Sequence, residues 1–150
     1  TNQHLLRPDG LPARILIAED QHINALLARR VSERAGCDVE VVSNGLAAIV
    51  AVEKTMTPGA RAFDLILMDV FMPELDGLDA TRAIKQLFEG QNGVPACPPI
   101  VALTANAFPE DRARCLAAGM DDYLAKPFDG GQLTAVVARW VAALPRQSTH

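Results

Sequence analysis

Short apolar runs and longer amphipathic stretches alternate five times between residues 13 and 144. Such alternation predicts βα repeats around a parallel sheet, an α/β fold. The first run, Arg14-Ile-Leu-Ile-Ala18, predicts a strand. The stretch after it places Ile23, Leu26, Leu27 and Val31 on one helix face, and Gly36 ends that helix. Residues 38–42 alternate polar and apolar, as an edge strand with one wet side does. Ser43-Asn44-Gly45 opens a second helix running to Lys54, and Thr57-Pro58-Gly59 breaks it. Residues 63–68 are apolar almost throughout, the pattern of a strand covered on both faces. Pro73 and Asp76-Gly77 turn the chain into a third helix with Leu78, Ile84, Leu87 and Phe88 inward, and residues 89–99 form a long loop. A fourth strand follows at 100–103, and a fourth helix begins at Pro109 and is closed by Gly119. The last strand is short, 122–125, and the last helix carries a core stripe of Leu133, Val136, Val137, Trp140, Val141 and Leu144.

Composition narrows the classes. Residues 1–12 are polar, with two prolines and a glycine, and are expected to be a linker; 145–150 are expected to be a short tail, leaving one domain over 13–144. A net charge of −4 with no Lys/Arg cluster argues against nucleic-acid binding. Cys37, Cys97 and Cys115 are odd in number and far apart, and His4, His22 and His150 are scattered, which disfavours a disulfide framework and structural zinc. Free thiols fit a reducing cytosol. No stretch is apolar enough to span a bilayer, and no signal peptide precedes the first strand, so the expectation is a cytoplasmic protein without membrane contact.

Chemistry sits at the strand ends. Glu19-Asp20, Asp69, Thr104, Tyr123 and Lys126-Pro127 each fall at or just past the end of an apolar run. In a parallel α/β sheet those ends converge on one edge, where ligands bind. Acid pairs in loops are commonly solvated surface pairs. Three carboxylates held close, however, raise one another's pKa unless a cation lies among them, and magnesium is the abundant hard ion. Asp69 could cap the next turn, or it could act as a nucleophile toward phosphorus. Thr104 could be a β-branched filler, a helix cap or a donor to a phosphoryl oxygen, with small Ala105 leaving the approach open. Lys126 opposite an acidic cluster would pair with Asp69 at rest and with a phosphoryl oxygen afterwards.

The stretches ILIAEDQHIN, LILMDVFMPELDG, IVALTANAF and AGMDDYLAKPF resemble the receiver domain of two-component response regulators over about residues 13–144. The resemblance implies a doubly wound, flavodoxin-like sheet of strand order 2-1-3-4-5 with five helices. It implies that Asp69 takes a phosphoryl group from a phosphohistidine, that Asp20 binds magnesium directly, that Glu19 acts mainly through water, and that the Phe71 carbonyl completes the ligands. It implies that Thr104 and Lys126 hold phosphoryl oxygens, that the Lys126–Pro127 bond is cis, and that Tyr123 turns as Thr104 is drawn to the phosphoryl group. From the residues alone Tyr123 could equally be a packed strand aromatic.

The run TANAFPEDRARCLAAGMDDYLAKPF is similar to receivers attached to hybrid sensor histidine kinases. That implies a phosphorelay between a histidine kinase core and a histidine phosphotransfer protein, with Ile23, Leu27 and Phe128 as exposed docking candidates. The alternative is a stand-alone response regulator acting by protein–protein binding. A magnesium-dependent phosphohydrolase would need a second acid two residues past the nucleophile, where Phe71 stands. A flavin carrier would want a hydroxyl-rich loop where EDQHIN is acidic, and a receiver that takes no phosphate would not need the intact acid pair, Asp69, Thr104 and Lys126. Two positions depart from the family pattern: Gln21 replaces a frequent Asn, and Phe71 replaces a frequent polar residue. A large apolar side chain at 71 is expected to hinder the water that hydrolyses an acyl phosphate.

Overall fold

The computed structural model describes residues 10–57, 59–72, 74–89, 97–105 and 108–142. Their elements are, in chain order, β1 (Arg14–Ala18), α1 (His22–Arg34), β2 (Asp38–Val42), α2 (Gly45–Lys54), β3 (Leu65–Asp69), α3 (Gly77–Phe88), β4 (Ile100–Thr104), α4 (Pro109–Ala118), β5 (Asp122–Ala125) and α5 (Gly130–Ala142). Most of the expected linker and of the long loop, the whole expected tail, and Pro58, Pro73 and Leu144 lie outside the described residues.

All neighbouring strands pair in parallel, in the order β2-β1-β3-β4-β5. The alternating run 38–42 lies at one edge, and β3, buried at every position, lies in the middle. Side chains alternate between two faces along each strand. Ile15, Ile17, Leu65, Leu67, Val101 and Leu103 pack under α1 and α5. Leu16, Ala18, Ile66, Met68, Ile100 and Ala102 pack under α2, α3 and α4. The stripe of α5 behaves as expected, with Leu133, Val137 and Val141 buried and Val136 and Trp140 against them.

The stripe of α1 does not. Ile23 is 80% exposed and Leu26 40%, while Ala25, Ala28 and Ser32 are the buried positions. The buried face lies nearly half a turn from the stripe of large residues. Small side chains let the helix lie close to the large residues of the sheet, and Leu27 and Val31 close its flank. The third strand is also shifted. It starts at Leu65, because the Asp64 carboxylate turns aside to accept the Arg14 N–H at 2.8 Å. It runs on through Asp69, and β4 likewise includes Thr104. Two candidate site residues are thus strand residues on the rigid sheet.

Turn chemistry fixes the helix starts. Asn44 Oδ1 accepts from Ala47 N at 2.7 Å and Asp76 Oδ1 from Asp79 N at 2.9 Å. At the N-terminal end of the sheet further carboxylates hold elements together. Asp121 accepts the Ile100 N–H at 2.8 Å, and Asp122 accepts the Trp140 indole N–H at 2.9 Å. At the opposite end Gly77 is pressed against β3: its N–H donates to the Val70 carbonyl at 2.8 Å, and an added Cβ would run into the Asp69 carbonyl oxygen. Gly77→Ala is therefore expected to lower unfolding free energy by about 1–3 kcal/mol, the usual cost of overpacking against backbone. Urea denaturation of the two proteins checks it.

Candidate functional site

Three carboxylates meet at the C-terminal edge of the sheet. Glu19 and Asp20 follow β1, and Asp69 ends β3 on the neighbouring strand. One oxygen from each lies within 4.8 Å of the others. The hydrogen-bond ladder runs past the strand ends and fixes the backbone that carries them. Glu19 N donates to Val42 O at 3.0 Å, Val70 N to Leu103 O at 3.0 Å, and Lys126 N to Thr104 O at 2.7 Å. Glu19 Oε1 also accepts the Gln21 N–H at 3.0 Å, and Asp69 Oδ1 accepts the Phe71 N–H at 3.3 Å.

Lys126 supplies the counter-charge. Its Nζ lies 2.8 Å from Glu19 Oε2 and 3.1 Å from Asp69 Oδ2. The expected Asp69 pairing is present, and the Lys126–Pro127 bond is cis. The Glu19 pairing was not foreseen: opposite charge is its only trace in the sequence, and acids and lysines are too common for that to single it out. Glu19 is 2% exposed and Asp69 4%, so one ammonium faces two desolvated carboxylates. Burial, hydrogen bonding with Glu19 and the Glu19 charge push the Asp69 carboxyl up to about 7, against the pull of Lys126. Burial alone would lower the Lys126 pKa, but Glu19 and Asp69 outweigh it and raise it.

A divalent cation fits this donor set. Hard cations take carboxylate oxygens, and Asp20 Oδ1 is buried without a hydrogen-bond partner. A cation among the three would supply what the single lysine leaves unbalanced. Thr104 is 5% exposed and lines a small void of about 10 Å³ with Val70, Phe71, Leu78, Asp111, Arg114 and Cys115. Phe71 is 61% exposed beside it. Tyr123 is half-buried against the α2, α3 and α4 face, with the Arg112 guanidinium 4.4 Å from its ring centre. Arg112 was missed, because an exposed arginine on a helix carries no sequence signal of an aromatic partner.

The docking candidates separate. Ile23 is exposed and Leu27 half-buried, but Phe128 is 7% exposed and packs in the core beneath α1 and α5. An exposed docking role for Phe128 is therefore withdrawn. The chain turns after Lys126 and seats that ring inward before α5 begins.

The carboxyl of Asp69 gives stability a pH dependence. Its folded value, about 7, lies above the ordinary carboxyl value of 3.8, so the folded state holds more protons between them and stability falls as pH rises through that window. Lys126 stays charged there and contributes a constant. Without divalent cation, Asp69→Asn is expected to melt higher than the wild type at pH 8, by on the order of 5 °C. The difference should grow from pH 4 to about 7 and then level off. Thermal denaturation across pH, with and without magnesium, checks it.

The chain is similar to known proteins. A family profile described as "Response regulator receiver domain" matches residues 15–138. The sensor histidine kinase GacS of Pseudomonas protegens is 42% identical over 127 residues, 85% of this chain and 13% of that protein. Probable histidine kinase 1 of Oryza sativa subsp. indica is 38% identical over 80% of this chain and 14% of its own length. The chain thus spans about a seventh of these curated relatives. Among solved structures, the receiver domain of a Pseudomonas aeruginosa PAO1 sensor histidine kinase, with magnesium coordinated in its active-site cleft, is 38% identical with a TM-score of 0.72, covering 87% of this chain and 98% of that one. The receiver domain of the Saccharomyces cerevisiae response regulator Ssk1, solved with the histidine phosphotransfer protein Ypd1, has a TM-score of 0.77 at 29% identity, with 87% and 90% covered. With the strand order, the acid cluster and the lysine in place, this chain belongs to the response regulator receiver domain family, the phosphoacceptor domains of two-component signalling.

Proposed function

We propose that Asp69 is the phosphoacceptor and that this domain relays phosphate within a phosphorelay. The observation that carries the reading is a strand-end carboxylate 3.1 Å from a part-buried ammonium and within 4.8 Å of two further acids. In this reading an Asp69 carboxylate oxygen attacks the phosphorus of a phosphohistidine. The new O–P bond forms as the N–P bond breaks, and the imidazole nitrogen leaves with the electron pair. Magnesium, when bound, would offset negative charge on the acids and phosphoryl oxygens. Glu19, Asp20, Asp69 and the Phe71 carbonyl would hold it.

Lys126 then exchanges the Asp69 oxygen for a phosphoryl oxygen while Glu19 keeps its ammonium in place. Thr104, at the end of β4, donates its hydroxyl to another phosphoryl oxygen. Tyr123 turns as Thr104 moves, and the surface around α4 changes with it. The domain is a signalling acceptor; it would catalyse only its own phosphorylation and dephosphorylation.

The relatives support a choice of partners. A histidine kinase core would donate and a histidine phosphotransfer protein would receive, within a hybrid kinase. Ile23, exposed in the first turn of α1 beside the acid cluster, suits an apolar docking contact, with Leu27 at its margin. No helix among the described residues is long and apolar enough to cross a membrane. A cytoplasmic placement is proposed for this domain.

Incubation with acetyl phosphate and magnesium, read by intact mass, is expected to add one phosphate to the wild type and none to Asp69→Asn. Phosphate on the variant would sink the assignment. Phe71 is exposed and borders the void beside Thr104; in this reading it hinders the water that hydrolyses the acyl phosphate. Phe71→Asn is expected to shorten the lifetime of the phosphorylated domain several-fold. Phosphate loss followed by mass after removal of the donor checks it.

A further inference from the structure

One helix bounds both halves of the proposed switch. The strand register sets Tyr123 opposite Ala102 and Ala125 opposite Thr104. Side chains two apart share a face, so Tyr123 and Thr104 are diagonal neighbours on adjacent strands, within reach of a large side chain. Both face the layer to which α4 belongs. From α4, Asp111, Arg114 and Cys115 border the void beside Thr104. From the same helix, Arg112 lays its guanidinium over the Tyr123 ring at 4.4 Å.

We propose that Arg112 is a positioning residue that holds Tyr123 in its resting orientation, away from the space beside Thr104. The inference rests on the reading above, in which Tyr123 turns when Asp69 is phosphorylated. The guanidinium is attracted to the face of the ring. That attraction is present in the resting state and must be given up when the ring turns away. The contact therefore biases a two-state element toward rest, and the bias appears in the affinity for any ligand that prefers the other state. Arg112 is exposed, so its contact has the modest strength of a solvated cation–π pair. Its loss should shift the equilibrium by about two- to fivefold.

Beryllofluoride, a stable mimic of the acyl phosphate, is the probe, titrated in magnesium with amide NMR shifts as readout. Arg112→Ala is expected to bind it about two- to fivefold tighter than the wild type. Arg112→Lys should fall between them, because an ammonium keeps the charge and loses the planar stack. In a Tyr123→Leu background Arg112→Ala should change nothing, which a purely structural role for Arg112 would not produce. Without beryllofluoride, the Arg112 side-chain protons should be shifted upfield by the ring in the wild type and not in Tyr123→Leu. Unchanged or weaker binding in Arg112→Ala, an equal gain in the Tyr123→Leu background, or no ring shift would each overturn the proposal. A wild type that binds no beryllofluoride and takes no phosphate from acetyl phosphate would instead overturn the receiver reading beneath it.

Discussion

The site is organised by an unequal balance of charge: one ammonium against two carboxylates with almost no solvent access, and a third carboxylate alongside. Desolvated acids at this separation repel unless something positive lies among them. Lys126 provides part of that and binds Glu19 more closely than Asp69. The remaining deficit falls on Asp69, whose carboxyl is held near neutrality. A buried carboxyl perturbed in this way is a candidate functional group. A cation among the acids would relieve the same deficit.

Holding charges in that arrangement requires a stiff support. Asp69 and Thr104 are the last residues of the middle strand β3 and its neighbour β4, and Glu19 and Lys126 are tied by backbone hydrogen bonds to β2 and β4. The close approach of Gly77 to the Asp69 carbonyl presses the following helix onto this edge. Positions built on strands are held more exactly than positions on free loops.

Much of this was legible in the chain. Breakers bounded the apolar runs, so the strands at Arg14–Ala18, Asp38–Val42 and Asp122–Ala125 were read correctly, as was the helix from Pro109. The site residues could be placed because parallel sheets bring their strand ends to one edge. What escaped shares a cause. The inward face of α1 is made of Ala25, Ala28 and Ser32, and small residues give a hydrophobic period little weight although they permit the closest packing. Phe128 looked like an exposed aromatic because the turn that seats it inward depends on tertiary contact. The Glu19–Lys126 and Arg112–Tyr123 pairs join elements whose separation in sequence says nothing about distance in space.

The two ends of the sheet treat their acids differently. At the base, Asp64, Asp121 and Asp122 are spent on N–H groups and rivet strand to strand and strand to helix. At the top Glu19 and Asp69 each accept one nearby N–H and share a single ammonium, with Asp20 alongside. A disturbance that begins at the top therefore meets an anchored floor. In the proposed switch it would spread sideways, through the loops and the head of α4, as a tuning fork clamped at its stem moves only at the tines.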